Sequence, residues 1–227
     1  MSSPFDQSPY QVRFEWGEAG LRRLAPADIV IVVDVLRFSS TVADAVASDA
    51  SIDAADAAHW SRDGAAVAAA AARIQAQPQT QATVLLGALR NATAVAQTVL
   101  ALQHQRQRRL SVSVIAAGEQ TPAGDLRFAV EDQLGAGAII AALSDLGIDH
   151  TSPEAATACE SARGLRRAMR HLLTASASGR ELADGVDATA RIEAAGVVPT
   201  SVAAAAELDA IDAVPILRGG VFTRFGR

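Results

Sequence analysis

The sequence predicts an α/β fold, a sheet with helices on both of its faces. Three aliphatic runs carry this prediction: IVIVVDVL (29–36), ATVLLGAL (82–89) and LSVSVIAAG (110–118). The first is near-continuous, as expected of a strand covered on both sides, and each is followed by a helix-forming stretch.

The elements follow in order. After the first run, SSTVADAVASDA offers capping hydroxyls and places Val42 and Val46 one helical turn apart. GAAVAAAAARI (64–74) is helical by alanine content alone, and QAQPQTQ (75–81) then reads as a polar surface loop. Asn91 opens the helix ATAVAQTVLAL after the second run. After the third run and a loop bearing glycine and proline, VEDQLGAGAIIAALSDLG (130–147) forms a helix ended by Gly147. Ser152, Pro153 and Glu154 make a strong helix start, and a long helix is expected to about Leu173. GRELADG and DATARIEAAG follow as shorter segments, with strand candidates near 196–199 and 213–217.

Composition excludes several functions. A net charge of −5 and a pI near 5.4 leave no footprint for nucleic acid or acidic membranes. All 20 basic residues are arginine, which removes any Schiff-base or phosphate-gripping lysine. No apolar run approaches the roughly 20 residues needed to span a bilayer. MSSPFDQSPYQ lacks the basic and apolar segments of a signal peptide, so a cytoplasmic protein is expected. The single Cys159 reads as a buried, inert thiol, and His59, His104, His150 and His171 are too scattered for a metal site. No GxSxG elbow and no GxGxxG turn occurs. The DVL of 34–36 lacks the second aspartate of phosphatases that form an aspartyl-phosphate.

Ligands of open α/β sheets sit beyond the carboxyl ends of the strands, and three polar clusters fall there. In DVLRFSST, Asp34 can hold a metal or a proton, and Arg37 is a fork suited to phosphate, sulfonate or carboxylate. Ser39, Ser40 and Thr41 form an anion cradle at a helix start; alternatively one serine caps the helix and Asp34 pairs with Arg37. In LRNAT, Asn91 either caps its helix or contacts substrate. In AAGEQTPAGDLRFAVED, Glu119 is an acid–base candidate or an exposed loop charge. Glu131 and Asp132 either answer the helix dipole or, with Asp34, supply oxygen ligands to Mg²⁺.

Together these stretches resemble the 2-phosphosulfolactate phosphatase family. VRFEWGEAGLRRLAPADIVIVVDVLRFSSTVADAVASDA, GALRNATAVA and AAGE…FAVEDQLGAGAIIAAL occur in that family's order, and GRELADG…AAAAELDAIDAVPILRGGVF is similar to its C-terminal part. The resemblance implies a three-layer α/β/α fold with a mixed sheet, in one domain of two related subdomains, about 1–105 and 106–227. It implies a Mg²⁺-dependent phosphatase acting on a small anionic phosphate ester, a phosphorylated sulfolactate, on the way to coenzyme M. By matching positions, Asp34, Glu131 and Asp132 would surround the metal, while Arg37, Ser39, Ser40, Thr41 and Asn91 would bind substrate. Asp34, Arg37 and Glu119 would carry catalysis. The chain departs from the family in a shortened segment after SIDAADA, and Arg62-Asp63-Gly64-Ala65 stands where an Asn-Gly-Thr or Asn-Gly-Ser motif is usual. Alanine-rich helix faces would permit a homodimer.

Overall fold

A computed structural model describes residues 3–61, 63–77, 82–121 and 123–226. Arg62 and residues 78–81 of the expected surface loop lie outside the described residues. The chain runs β1 (Val12–Trp16), α1 (Gly17–Arg23), β2 (Ile29–Val33), α2 (Phe38–Ala47), β3 (Ile52–Asp53), α3 (Ala54–Ala57), α4 (Gly64–Gln75) and β4 (Thr83–Gly87). After a 3₁₀ turn at Leu89–Asn91 come α5 (Ala92–Arg106), β5 (Val112–Ala116), β6 (Glu119–Gln120), β7 (Leu126–Arg127), α6 (Val130–Asp145) and α7 (Pro153–Leu165). The last third holds α8 (Met169–Ala175), α9 (Ala177–Asp184), α10 (Asp187–Ala194), α11 (Val202–Ala205), β8 (Pro215–Arg218) and β9 (Val221–Arg224).

Seven strands make one mixed sheet in the order β1-β5-β2-β4-β8-β9-β3. The first four are parallel, and β8, β9 and β3 add antiparallel pairs at one side. Because β2 is bonded to β4 on one side and to β5 on the other, the sheet runs unbroken across residue 105.

Alternation along the central strands divides the core into two layers. Ile29, Ile31, Val33, Val112 and Val114 pack with α5, α6 and α7. Val30, Val32, Val84, Leu86 and Ile115 face the opposite way, onto α1, α2 and α4. The result is the three-layer α/β/α arrangement. Each aliphatic run proves to contain a fully buried strand, in which the polar exceptions, Thr83 and Ser113, are small and themselves buried. No helix among the described residues is long and apolar enough to cross a membrane.

The structure departs from the sequence expectations at several places, beyond the short elements α1, β3, β6 and β7 that were not expected. VRFEW forms the edge strand β1, although Arg13 and Glu15 interrupt its apolar pattern; Arg13 is buried and donates to the carbonyls of Tyr10 and Ala25. The helix expected from 153 to 173 is broken by a 3₁₀ turn at Arg166–Ala168, which re-aims Met169 and Leu173 into the core. The segment 196–199 is not a strand: Pro199 lacks a ladder donor, and the next N–H, that of Thr200, bonds to Thr41 Oγ1 instead. Finally, β9 completes the antiparallel side where no strand was expected.

α6 and α7 pack at backbone distance. A Cβ at Gly137 would lie 2.0 Å from the Ala158 carbonyl oxygen, so no larger residue fits without separating the helices. Gly137→Ala is therefore expected to lose about 2–3 kcal/mol in urea unfolding. A loss below about 0.5 kcal/mol would show that the two helices are not held this closely.

Candidate active site

The chain leaves β2 toward one face of the sheet, into α2, and leaves β5 toward the other, into α6. A crevice opens where neighbouring parallel strands diverge in this way, and ligand sites of α/β sheets form there. Asp34 follows β2; Gly118 and Glu119 follow β5; Glu131 and Asp132 open α6. The fold thus brings together the acidic residues singled out in the sequence.

Asp34 is only 6% exposed and serves as a shared cap for two helices. Its Oδ1 accepts from Phe38 N at 3.2 Å, at the start of α2, and its Oδ2 from Gly64 N at 3.1 Å, at the start of α4. Ser61 Oγ adds a third bond to Oδ2 at 3.0 Å and itself accepts from Gly64 N. The positive ends of both helix dipoles therefore point at this carboxylate. Only glycine permits the approach, because a Cβ at Gly64 would lie 2.2 Å from Asp34 Oδ2.

Asp132, 3% exposed, clamps the crevice from its other side. Its Oδ1 accepts from Val35 N at 2.7 Å and its Oδ2 from Gly118 N at 2.9 Å. One carboxylate so joins the ends of β2 and β5 to the first turn of α6. Glu131, 2% exposed, and Glu119 both contact the hydroxyl of Ser178, at the start of α9, and Glu119 also pairs with Arg127 at 2.8 Å.

These carboxylates resist ionisation. Burial, opposed by the bonds from Phe38 and Ser61 and reinforced by the Asp63 charge, pushes Asp34 up to about 6. Burial, then the charges of Asp34 and Glu131, raise Asp132 well above the usual carboxylate range. Burial also raises Glu131, with the Glu119 charge adding to the effect and Ser178 opposing it. Among the described residues none of Asp34, Glu131 and Asp132 forms an ion pair. In particular, Asp34 does not pair with Arg37. Among the described residues no group of three or more His, Cys, Asp or Glu side chains is arranged ready to hold a metal ion.

The hydroxyl cluster does something different from what its composition suggests. Ser39, Ser40 and Thr41 are fully buried. Ser39 Oγ donates to Val32 O and accepts from Asp34 N, Ser40 Oγ donates to Val35 O, and Thr41 Oγ1 accepts from Thr200 N. Their oxygens are spent on backbone groups, so they brace the strand-to-helix turn rather than face an anion. Asn91 is likewise buried, with Oδ1 accepting from Ala88 N and Nδ2 donating to Ala213 O. Asn91 therefore does not cap α5 with its side chain; it closes the 3₁₀ turn back onto Ala88 and ties it to the chain entering β8. Arg37 remains partly exposed, and its guanidinium bonds to Thr189 Oγ1 of α10. Cys159 is buried away from this crevice, and burial pushes its thiol up, as an inert thiol requires.

Four further residues of the site escaped sequence reasoning: Ser61, Gly64, Ser178 and Thr189. The only local signal was the Asp63-Gly64 pair opening a helix, and nothing local ties Ser178 to acids 47 and 59 positions earlier or Thr189 to Arg37, 152 positions earlier.

A family described as 2-phosphosulpholactate phosphatase matches residues 66–220, from the first turn of α4 to the turn after β8. This span contains Asn91, Glu119, Glu131 and Asp132 but begins after Asp34 and Arg37. No curated protein matches the chain.

The raised carboxyls make stability depend on pH. The folded protein keeps protons that the unfolded chain releases, so this stability is full below about pH 4 and is lost as pH rises through the folded values, about 6 for Asp34. In divalent-free buffer the melting temperature is expected to fall between pH 5 and 7, and Asp34→Asn to remove roughly 1 kcal/mol of the accompanying loss of stability. A melting temperature that rises over that interval would contradict the assignment.

Proposed function

We propose that this chain, which belongs to the 2-phosphosulpholactate phosphatase family, hydrolyses a small anionic phosphate ester to its alcohol and inorganic phosphate with Mg²⁺. One observation carries the reading: Asp132 draws the ends of two adjacent parallel strands together by their amides, and so gathers Asp34, Glu131 and itself at the fold's ligand-binding edge.

The donor chemistry fits the ion. Three buried carboxylates offer oxygen ligands only, which suits a hard cation that keeps some of its water. They raise one another's proton affinity and have no arginine in ion pairing among the described residues, so added positive charge would relieve the site. Each Asp132 oxygen accepts one amide bond and retains a second lone pair. Asp34, Glu131 and Asp132 would hold the cation, which supplies charge neutralisation on the phosphoryl oxygens. Arg37 offers guanidinium donors to the same anion, beyond the one given to Thr189. Glu119, less buried than the other acids, would accept the proton of an attacking water and return it to the alcohol oxygen whose bond to phosphorus breaks. A substrate carrying a second anionic group, such as a sulfonate, is the family's implied class.

One observation favours a second reading, anion or protein binding without turnover. The charge of Asp63, standing where the family shows asparagine, acts on Asp34 and disfavours a second anion nearby.

Assays of small phosphate esters, phosphosulfolactate among them, with and without Mg²⁺ separate the two readings. Turnover is expected only with Mg²⁺; Asp34→Asn should cut it about a hundredfold or more, and Arg37→Ala should raise KM about tenfold. Thermal stabilisation by phosphate or sulfonate with no turnover on any ester would replace the first reading by the second. Gly64→Ala, which displaces the Asp34 carboxylate, should cost about a hundredfold in kcat/KM. An unimpaired Gly64→Ala enzyme would remove Asp34 from the machinery.

A further inference from the structure

The three acids of the crevice are oriented in different ways. Asp34 is held by two backbone amides and Ser61, and Asp132 by two backbone amides. Glu131 is reached by its own backbone N–H, by the Ser176 hydroxyl and, most strongly, by the hydroxyl of Ser178. That hydroxyl also meets Glu119 Oε1, so one group from α9 spans two carboxylates that come from β6 and α6.

The local sequence Ser176-Ala177-Ser178-Gly179 is shaped to deliver this group. Ser176 Oγ donates to Leu173 O at 2.8 Å and accepts from Gly179 N at 3.0 Å, which ends α8 and caps α9 in one residue. Gly179 lets the two helices meet, since a Cβ there would lie 2.0 Å from Leu173 O. Ser178 is therefore held on the first turn of α9 by backbone geometry and is itself buried. None of this is needed to fold an eight-residue helix. A capping serine alone would suffice, and the second serine is turned toward the carboxylates.

We propose that Ser178 is a positioning residue of the site: its hydroxyl couples Glu119 to Glu131 and holds Glu131 in the arrangement that receives the divalent cation. The proposal rests on the cation reading given under Proposed function. Groups that orient a metal ligand from behind commonly set affinity as strongly as some ligands do, because a ligand free to rotate loses its preorganisation. Ser178 acts through Glu131 and touches no reacting atom.

Mn²⁺, a spectroscopic stand-in for Mg²⁺, tests this without any turnover. Binding followed by electron paramagnetic resonance on the full chain should weaken about tenfold or more in Ser178→Ala, while Ser178→Thr, which keeps the hydroxyl, should stay within about threefold of wild type. In Mg²⁺-dependent kinetics the same alanine variant should raise the Mg²⁺ concentration needed for half-activity and leave KM for the ester unchanged. Wild-type affinity in Ser178→Ala would overturn the proposal. Equal weakening in the alanine and threonine variants would also overturn it, since packing at the α8–α9 junction and not the hydroxyl would then be responsible. If the wild-type chain bound no Mn²⁺ at all, the cation reading itself would fall and Ser178 with it. Mn²⁺ binding unchanged by Ser178→Ala would leave that reading standing.

Discussion

The carboxylate of Asp132 is the constraint on which the site depends. A parallel sheet ends in backbone N–H groups that no neighbouring strand satisfies, and at the buried end of a three-layer fold each such group is costly to leave unpaired. Asp132 satisfies two of them at once, on Val35 and Gly118, and by doing so fixes α6 against the ends of β2 and β5. Asp34 does the same for the starts of α2 and α4. Two side chains thus set the geometry of three helices and two strands around one crevice.

This arrangement has an electrostatic cost. Two aspartates and a glutamate are nearly excluded from water, and beyond burial the charges of Asp34 and Glu131 act against ionisation of Asp132, as that of Glu119 does against Glu131. Amide donors and the positive ends of helices offset part of that cost, yet burial still dominates the shifts. A fold that only needed capped helices would use serine or asparagine at such positions, as it does with serine at Ser152 and Ser201. Carboxylates kept there against their own repulsion are suited to a cation, and the partly exposed Arg37 is suited to an anion.

The parts of the fold that were legible in the sequence are those where the residues between two glycines or prolines decide the outcome. Short runs of Val, Ile and Leu, rich in β-branched residues, favour strands buried on both faces, and the alanine-rich runs after them favour crossover helices. β1 was hidden because Arg13, inside the strand, finds its partners in loop carbonyls that the sequence does not announce. The break at 166–168 was hidden because helix propensity there is good, and only the demand that Met169 and Leu173 reach the core bends the chain. In the site, the acids were legible because charge at the end of an apolar strand is conspicuous. The hydroxyl triplet misled because serine and threonine serve backbone and ligand equally well, and which one they serve is set by burial.

IVIVVDVLRFSST shows where the two kinds of information meet. By itself the sequence determined that a buried strand ends here, that Asp34 stands at its carboxyl end, and that a helix begins within a few residues, because these follow from local patterns of hydrophobicity and capping. Only the tertiary structure decided what each polar group faces. It turned Ser39, Ser40 and Thr41 inward onto the backbone, gave Asp34 to α4 through Gly64, parted Arg37 from Asp34, and brought Ser178 across the chain to Glu131. The physical reason is that a hydrogen bond is satisfied by whichever partner the packed layers bring within reach. That choice is made between segments far apart in the chain.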